Sequence, residues 1–112
     1  MQFCRVDEYL SVSRITGAQD NLLQIRLSVA QPERIEVVAI SLPGFSATLL
    51  DQEKVVAAVI EGLELVNVEL GTSYCVSHIR FVANDSKPEE TYSFLTYALL
   101  QQYHVGNPSL GA

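Results

Sequence analysis

The residues best suited to nucleophilic chemistry are Cys75 and His78, in the run Cys75-Val76-Ser77-His78, because a thiolate paired with an imidazole is intrinsically reactive. Successive side chains of a β-strand point to opposite faces, so positions 75 and 78 meet only where the strand begins later or bulges between them. The competing reading of Cys75 is an inert core or half-buried thiol. His104 offers a second imidazole, but a histidine in a last helical turn is already accounted for by its interaction with the helix dipole. Cys4, Cys75, His78 and His104 would suffice in number for a zinc ion, yet no CxxC or HxxxH spacing pairs any two of them. No metal and no other cofactor is expected. The carboxylates Asp7, Glu8, Asp85, Glu89 and Glu90 would need a cleft to work as a glycosidase-like pair, and neither GxGxxG nor GxxxxGK[ST] is present to cradle a phosphate. With no convergent catalytic set, the chain reads as non-enzymatic.

A different kind of signal lies in the acidic residues of the second half. Glu53, Ala57, Glu61 and Glu64 follow i, i+4, i+8 and i+11, one stripe of a helix with no Lys or Arg at a compensating position, and Glu69 comes soon after. Like charges at that spacing cost a few tenths of a kcal/mol per pair. Such a stripe is either an ordinary solvated face or a surface selected by a basic protein, since complementary potential speeds encounter and fixes orientation. Of the five tyrosines, Tyr97 falls opposite the Leu95/Leu99 seam of the last helix and is the one placed to offer an amphipathic contact. Glu53, Glu61, Glu64, Glu69 and Tyr97 are therefore the candidate protein-binding residues.

At 112 residues the chain has room for one hydrophobic core, and 48% hydrophobic against 18% charged residues describes a packed domain. A net charge of −6 is the wrong sign for nucleic acid or an anionic membrane. Arg5, Arg14, Arg26 and Arg34 balance Asp7, Glu8, Asp20 and Glu33, so all the excess lies after residue 34. Two cysteines far apart in sequence suggest reduced thiols, and no apolar leader or membrane-length apolar run is visible. The expected setting is the cytoplasm, with no membrane association.

The elements that must position these residues follow from period and punctuation. EYLSVSRIT at 8–16, LLQIRLSVA at 22–30 and residues 34–42 read as three strands, the second placing Leu23, Ile25, Leu27 and Val29 opposite Gln24, Arg26 and Ser28. Turn formers at 17–21 and Pro43-Gly44 punctuate them, and short connections predict an antiparallel meander. Asp51 caps a helix carrying Val55, Val56, Val59, Ile60 and Leu63 on one face, with Gly62 as its expected stop and 63–70 as an irregular connection. A fourth strand is expected at 74–83. Ser86-Lys87-Pro88-Glu89 matches a capping box for the last helix, which carries Tyr92, Leu95, Leu99 and Tyr103 with Phe94, Ala98 and Leu100 widening the apolar arc and stops at Gly106-Asn107-Pro108. The expectation is one α+β domain over 1–106 with a frayed tail over 107–112. It is a two-layer sandwich of order β-β-β-α-β-α, a mostly antiparallel four-stranded sheet under two helices.

This order, together with helix, strand, NDSKPEETYSF and helix over 51–104, resembles the ribosomal protein S5 domain 2-like superfold, which includes domain IV of the translocating elongation factors. The resemblance implies the fold and, as a second function, a translation-linked or RNA-contacting role, for which Arg14, Arg26 and Arg34 would have to cluster. The basic character and glycine-rich, histidine-bearing tip loop of such a domain are missing. The first reading is an acidic, non-enzymatic protein-binding domain of the inhibitor, immunity or adaptor kind, acting through its first helix on a basic protein. A thiol enzyme using Cys75 is a third, and the polar sheet face and the Pro43–Leu50 loop are further places for a homo-oligomer contact or a ligand.

Overall fold

In a computed structural model that describes residues 1–15, 20–41 and 49–111, hydrophobic alternation and helical periodicity resolve into five strands and two helices. The strands are β1 (Gln2–Val6), β2 (Tyr9–Ile15), β3 (Asp20–Ser28), β4 (Glu36–Ile40) and β5 (Cys75–Val82), and the helices are α1 (Gln52–Leu70) and α2 (Thr91–His104). They form one α+β sandwich, a mixed sheet of order β1-β2-β3-β5-β4 whose core-facing side is covered by both helices. The order β-β-β-α-β-α runs from β2 onward, and the expected four strands become five. β1 escapes the sequence pattern because it is a short edge strand, exposed at most positions and so without a buried period. Asp7, at φ 56, closes the two-residue turn into β2, a left-handed conformation that Asp tolerates.

The meander also needs correction. β1, β2 and β3 pair antiparallel in sequence order, but β5 inserts between β3 and β4 and pairs parallel with β4. A parallel pair requires a crossover, which α1 supplies. β5 is then an interior strand, with Val76, Ile79 and Phe81 packed against Leu23 and Ile25 of β3 and the helices. Strand β3 stops at Ser28, so Val29 is fully exposed instead of core-facing. The turn at 17–21 falls mostly on residues outside those described, as do Pro43-Gly44 and most of the Pro43–Leu50 loop.

Helix α1 does not stop at Gly62. It continues through 63–70, and Gly71, at φ 65, caps it. Gly62 is instead the point where the helices touch, since a Cβ there would lie 2.3 Å from the Ser93 carbonyl oxygen and 2.9 Å from Thr96 Cβ. The Asp51 cap forms as expected, its carboxylate accepting from the Glu53 and Lys54 amides.

The capping box of α2 does not form. Ser86 Oγ accepts from the Asp20 amide at 3.0 Å, and Glu89 accepts from the Asp51 amide at 2.8 Å, so tertiary partners take both groups and α2 begins at Thr91. Within α2, Phe94 faces outward, half exposed, and Thr96 takes a fully buried place, its hydroxyl donating to the Tyr92 carbonyl. The segment after α2 is not frayed throughout. A turn at 107–110 buries Leu110 completely, and Arg5 Nη1 donates to its carbonyl at 3.2 Å. No helix among the described residues is long and apolar enough to cross a membrane.

Candidate functional site

The helices lie side by side and run in the same direction. Glu89, just before α2, holds the start of α1, Gly62 meets Ser93 and Thr96 midway, and Glu69 meets Tyr97 further on. Because Gly62 lets the backbones approach closely, the α1 residues one step outward of it emerge beside α2. There Glu61, Glu64, Leu65, Val68 and Glu69 of α1 and Tyr97 of α2 line an open groove of about 500 Å³. Its apolar part is unusual for a surface helix, with Leu65 52% and Val68 85% exposed.

Four of the five candidate binding residues thus come together: Glu61, Glu64, Glu69 and Tyr97. Glu53 stands apart, exposed in the first turn of α1, two helical turns before Glu61. Leu65 and Val68 were hidden from sequence reasoning, because the segment 63–70 read as irregular. Continuing the helical period through Gly62 would have placed them on the outer stripe.

The electrostatics of the groove are one-sided. The last turn of α1 holds no basic residue, so Glu69 sits at the negative end of the helix dipole with no cation beside it on the helix. The Tyr97 hydroxyl donates to Glu69 and accepts from Gln101 Nε2 at 3.0 Å. The bond to Glu69, followed by burial, pushes the Tyr97 phenol above its ordinary value. Tyr97 is therefore half-buried and committed to neighbours, an apolar ring wall rather than a free hydroxyl.

The alternative sites assemble less chemistry. The β3–β5 ladder does bulge, with Arg26 opposite His78 and Leu27 opposite Val76, so Ser77 is the extra residue and Cys75 and His78 fall on the same open face. Yet His78 Nδ1 is 2.7 Å from Ser77 Oγ and its Nε2 is 3.1 Å from Glu36. Both ring nitrogens are engaged, and the Cys75 thiol points to the Ser73 carbonyl. The Ser77–His78–Glu36 chain fastens edge strand β4 to β5 and, through the Arg26 carbonyl that Ser77 Oγ also reaches, the bulge to β3.

The arginines do not cluster. Arg14 pairs across from the buried Asn21 on the side of Leu10 and Val12, whereas Arg26 is on the open face, bridged to Glu8 at 2.6 Å, and Arg34 precedes β4. Arg80, on the open face, lies 3.8 Å over the Tyr9 ring. Among the described residues no three His, Cys, Asp or Glu side chains gather as metal ligands.

Comparison with protein families, with curated proteins and with solved structures gives no match.

Proposed function

We propose that this chain is a small, acidic, non-enzymatic protein-binding domain of the inhibitor, immunity or adaptor kind, and that its α1–α2 groove contacts a basic protein. The observation that carries the reading is the coincidence of exposed Leu65 and Val68 with an unneutralised rim of Glu61, Glu64 and Glu69. Apolar side chains alone would suit many occupants. The surrounding carboxylates select a cationic one, because like charges near a helix C-terminus are relieved when positive charge docks there. They also disfavour a symmetric pairing of this face with a second copy, which would set the same carboxylates against one another.

The test is purification from the native host with light scattering on the eluted species. A stoichiometric basic partner is expected, lost at least tenfold in affinity by Glu61→Lys/Glu64→Lys and weakened by salt. Glu53→Lys, which changes the field without touching the groove, costs far less. A stable homo-oligomer with no partner, or a partner indifferent to the double variant, contradicts the proposal.

A further inference from the structure

We infer that the occupant of this groove is a basic amphipathic helix of the partner, laid along α1 and α2 as a third helix with apolar residues on Leu65 and Val68 and lysines or arginines at the carboxylate rim. The inference rests on the protein-binding reading and adds the form of the bound segment. It follows from the hydrogen bonds the groove can offer. Both walls are helices, whose backbone groups are spent internally except for the last carbonyls of α1, and among the described residues no strand edge with free amides lines the groove. The Tyr97 hydroxyl is already occupied by Glu69 and Gln101. An extended segment lying over Leu65 and Val68 would turn its own amides and carbonyls toward apolar side chains without partners, which is costly. A helix satisfies its backbone internally and presents only side chains.

The spacing agrees. Glu61, Leu65 and Val68 stand at i, i+4 and i+7, a straight ridge along two turns of α1, and a helix with apolar residues at the same spacing interlocks with such a ridge. Carboxylates at both ends, Glu61 with Glu64 before the apolar pair and Glu69 after it, call for cations flanking the apolar anchors on the incoming helix. Contact with a lysine or arginine there would offset the uncompensated charge at the end of α1.

The probe is a labelled peptide of about 18 residues, long enough to form a helix on binding, with leucines at i, i+3, i+4 and i+7 and lysines on either side. It is compared with the same peptide carrying two interior prolines and with one in which glutamates replace the lysines. Binding is followed by anisotropy and peptide helicity by circular dichroism. The inference expects the intact peptide to bind with gained helicity, the proline and glutamate peptides each to bind at least tenfold more weakly, and Leu65→Ser/Val68→Ser to lose most of the affinity although every rim charge remains. If the proline peptide binds within about twofold of the intact one while the glutamate peptide does not, the helical form is wrong and the basic-partner reading survives. If lysine and glutamate peptides bind alike, or the serine variant binds the intact peptide undiminished, both fall.

Discussion

Two carboxylates near the start of α2 show how environment, more than residue type, sets what a charge does for stability. Glu89 is buried, and its carboxylate takes the Asp51 amide; that bond, with a smaller part from Lys87, holds its pKa below the ordinary value near 4.5. A carboxyl whose folded pKa is depressed stabilises the fold above its ordinary value, and the contribution disappears as pH falls through the lower folded value. Glu89→Gln should therefore lower the melting temperature at neutral pH, with the gap to wild type closing in acid. Asp85 is the opposite case. Burial raises its pKa against the help of the Leu22 amide, and Asp20 adds to the rise. It binds its proton more tightly when folded, so its ionised form costs stability once pH exceeds the ordinary value, and fully so above the raised one. Asp85→Asn, which keeps an oxygen for Leu22, is expected to raise the melting temperature at neutral pH and leave it unchanged in strong acid. A lowered melting temperature at neutral pH would show that the bond to Leu22 outweighs the burial. Tyr92, fully buried against Phe81, has its phenol pushed up to about 12 by burial. A spectrophotometric titration of native protein should find a phenol that ionises only near pH 12 and is lost in Tyr92→Phe.

At the scale of elements, the helix pair depends on one missing side chain. Gly62→Ala gains about 1 kcal/mol of helix propensity, but its methyl would press on the Ser93 carbonyl, a backbone group fixed within α2. Overpacking of this kind typically costs about 1–3 kcal/mol, so urea unfolding should show a net loss of stability. A stabilised variant would mean that the helices can separate freely. The C-terminal turn makes a second case: Leu110→Ala removes a fully buried side chain and should cost about 2–5 kcal/mol, where a frayed tail would lose almost nothing. These two positions also show what the sequence could and could not convey. Strands β2, β3 and β5, the Asp51 cap and the acidic stripe were legible because each is a local pattern of period or cap chemistry. Gly62 looks locally like a stop, whereas its role is set by Ser93 and Thr96, which lie far along the chain. The capping box fails for the same reason, Ser86 and Glu89 having partners in β3 and at the N-cap of α1. The place of β4 beyond β5 depends on a crossover that alternation cannot encode. The candidate site was legible in its charges, Glu61, Glu64 and Glu69, and in Tyr97, but not in the apolar residues Leu65 and Val68 that turn a charged face into a groove.

For the whole molecule, with its net charge of −6, we propose that the helical side of the sandwich, and not the open sheet face, holds a basic protein. The two surfaces differ in how far their charges are answered. On the sheet face the charged groups already have partners, Arg26 with Glu8, Glu36 with the His78 ring and Arg80 with Tyr9. On the helical face the carboxylates around Leu65 and Val68 have no cation in the last turn of α1 to answer them. The most direct measurement is the map of backbone amide chemical-shift changes in isotope-labelled protein on addition of the partner purified with it. The largest changes are expected over residues 61–69 and around Tyr97, with little at Arg26, His78 and Arg80. Changes concentrated on those sheet residues, with the groove undisturbed, would contradict it.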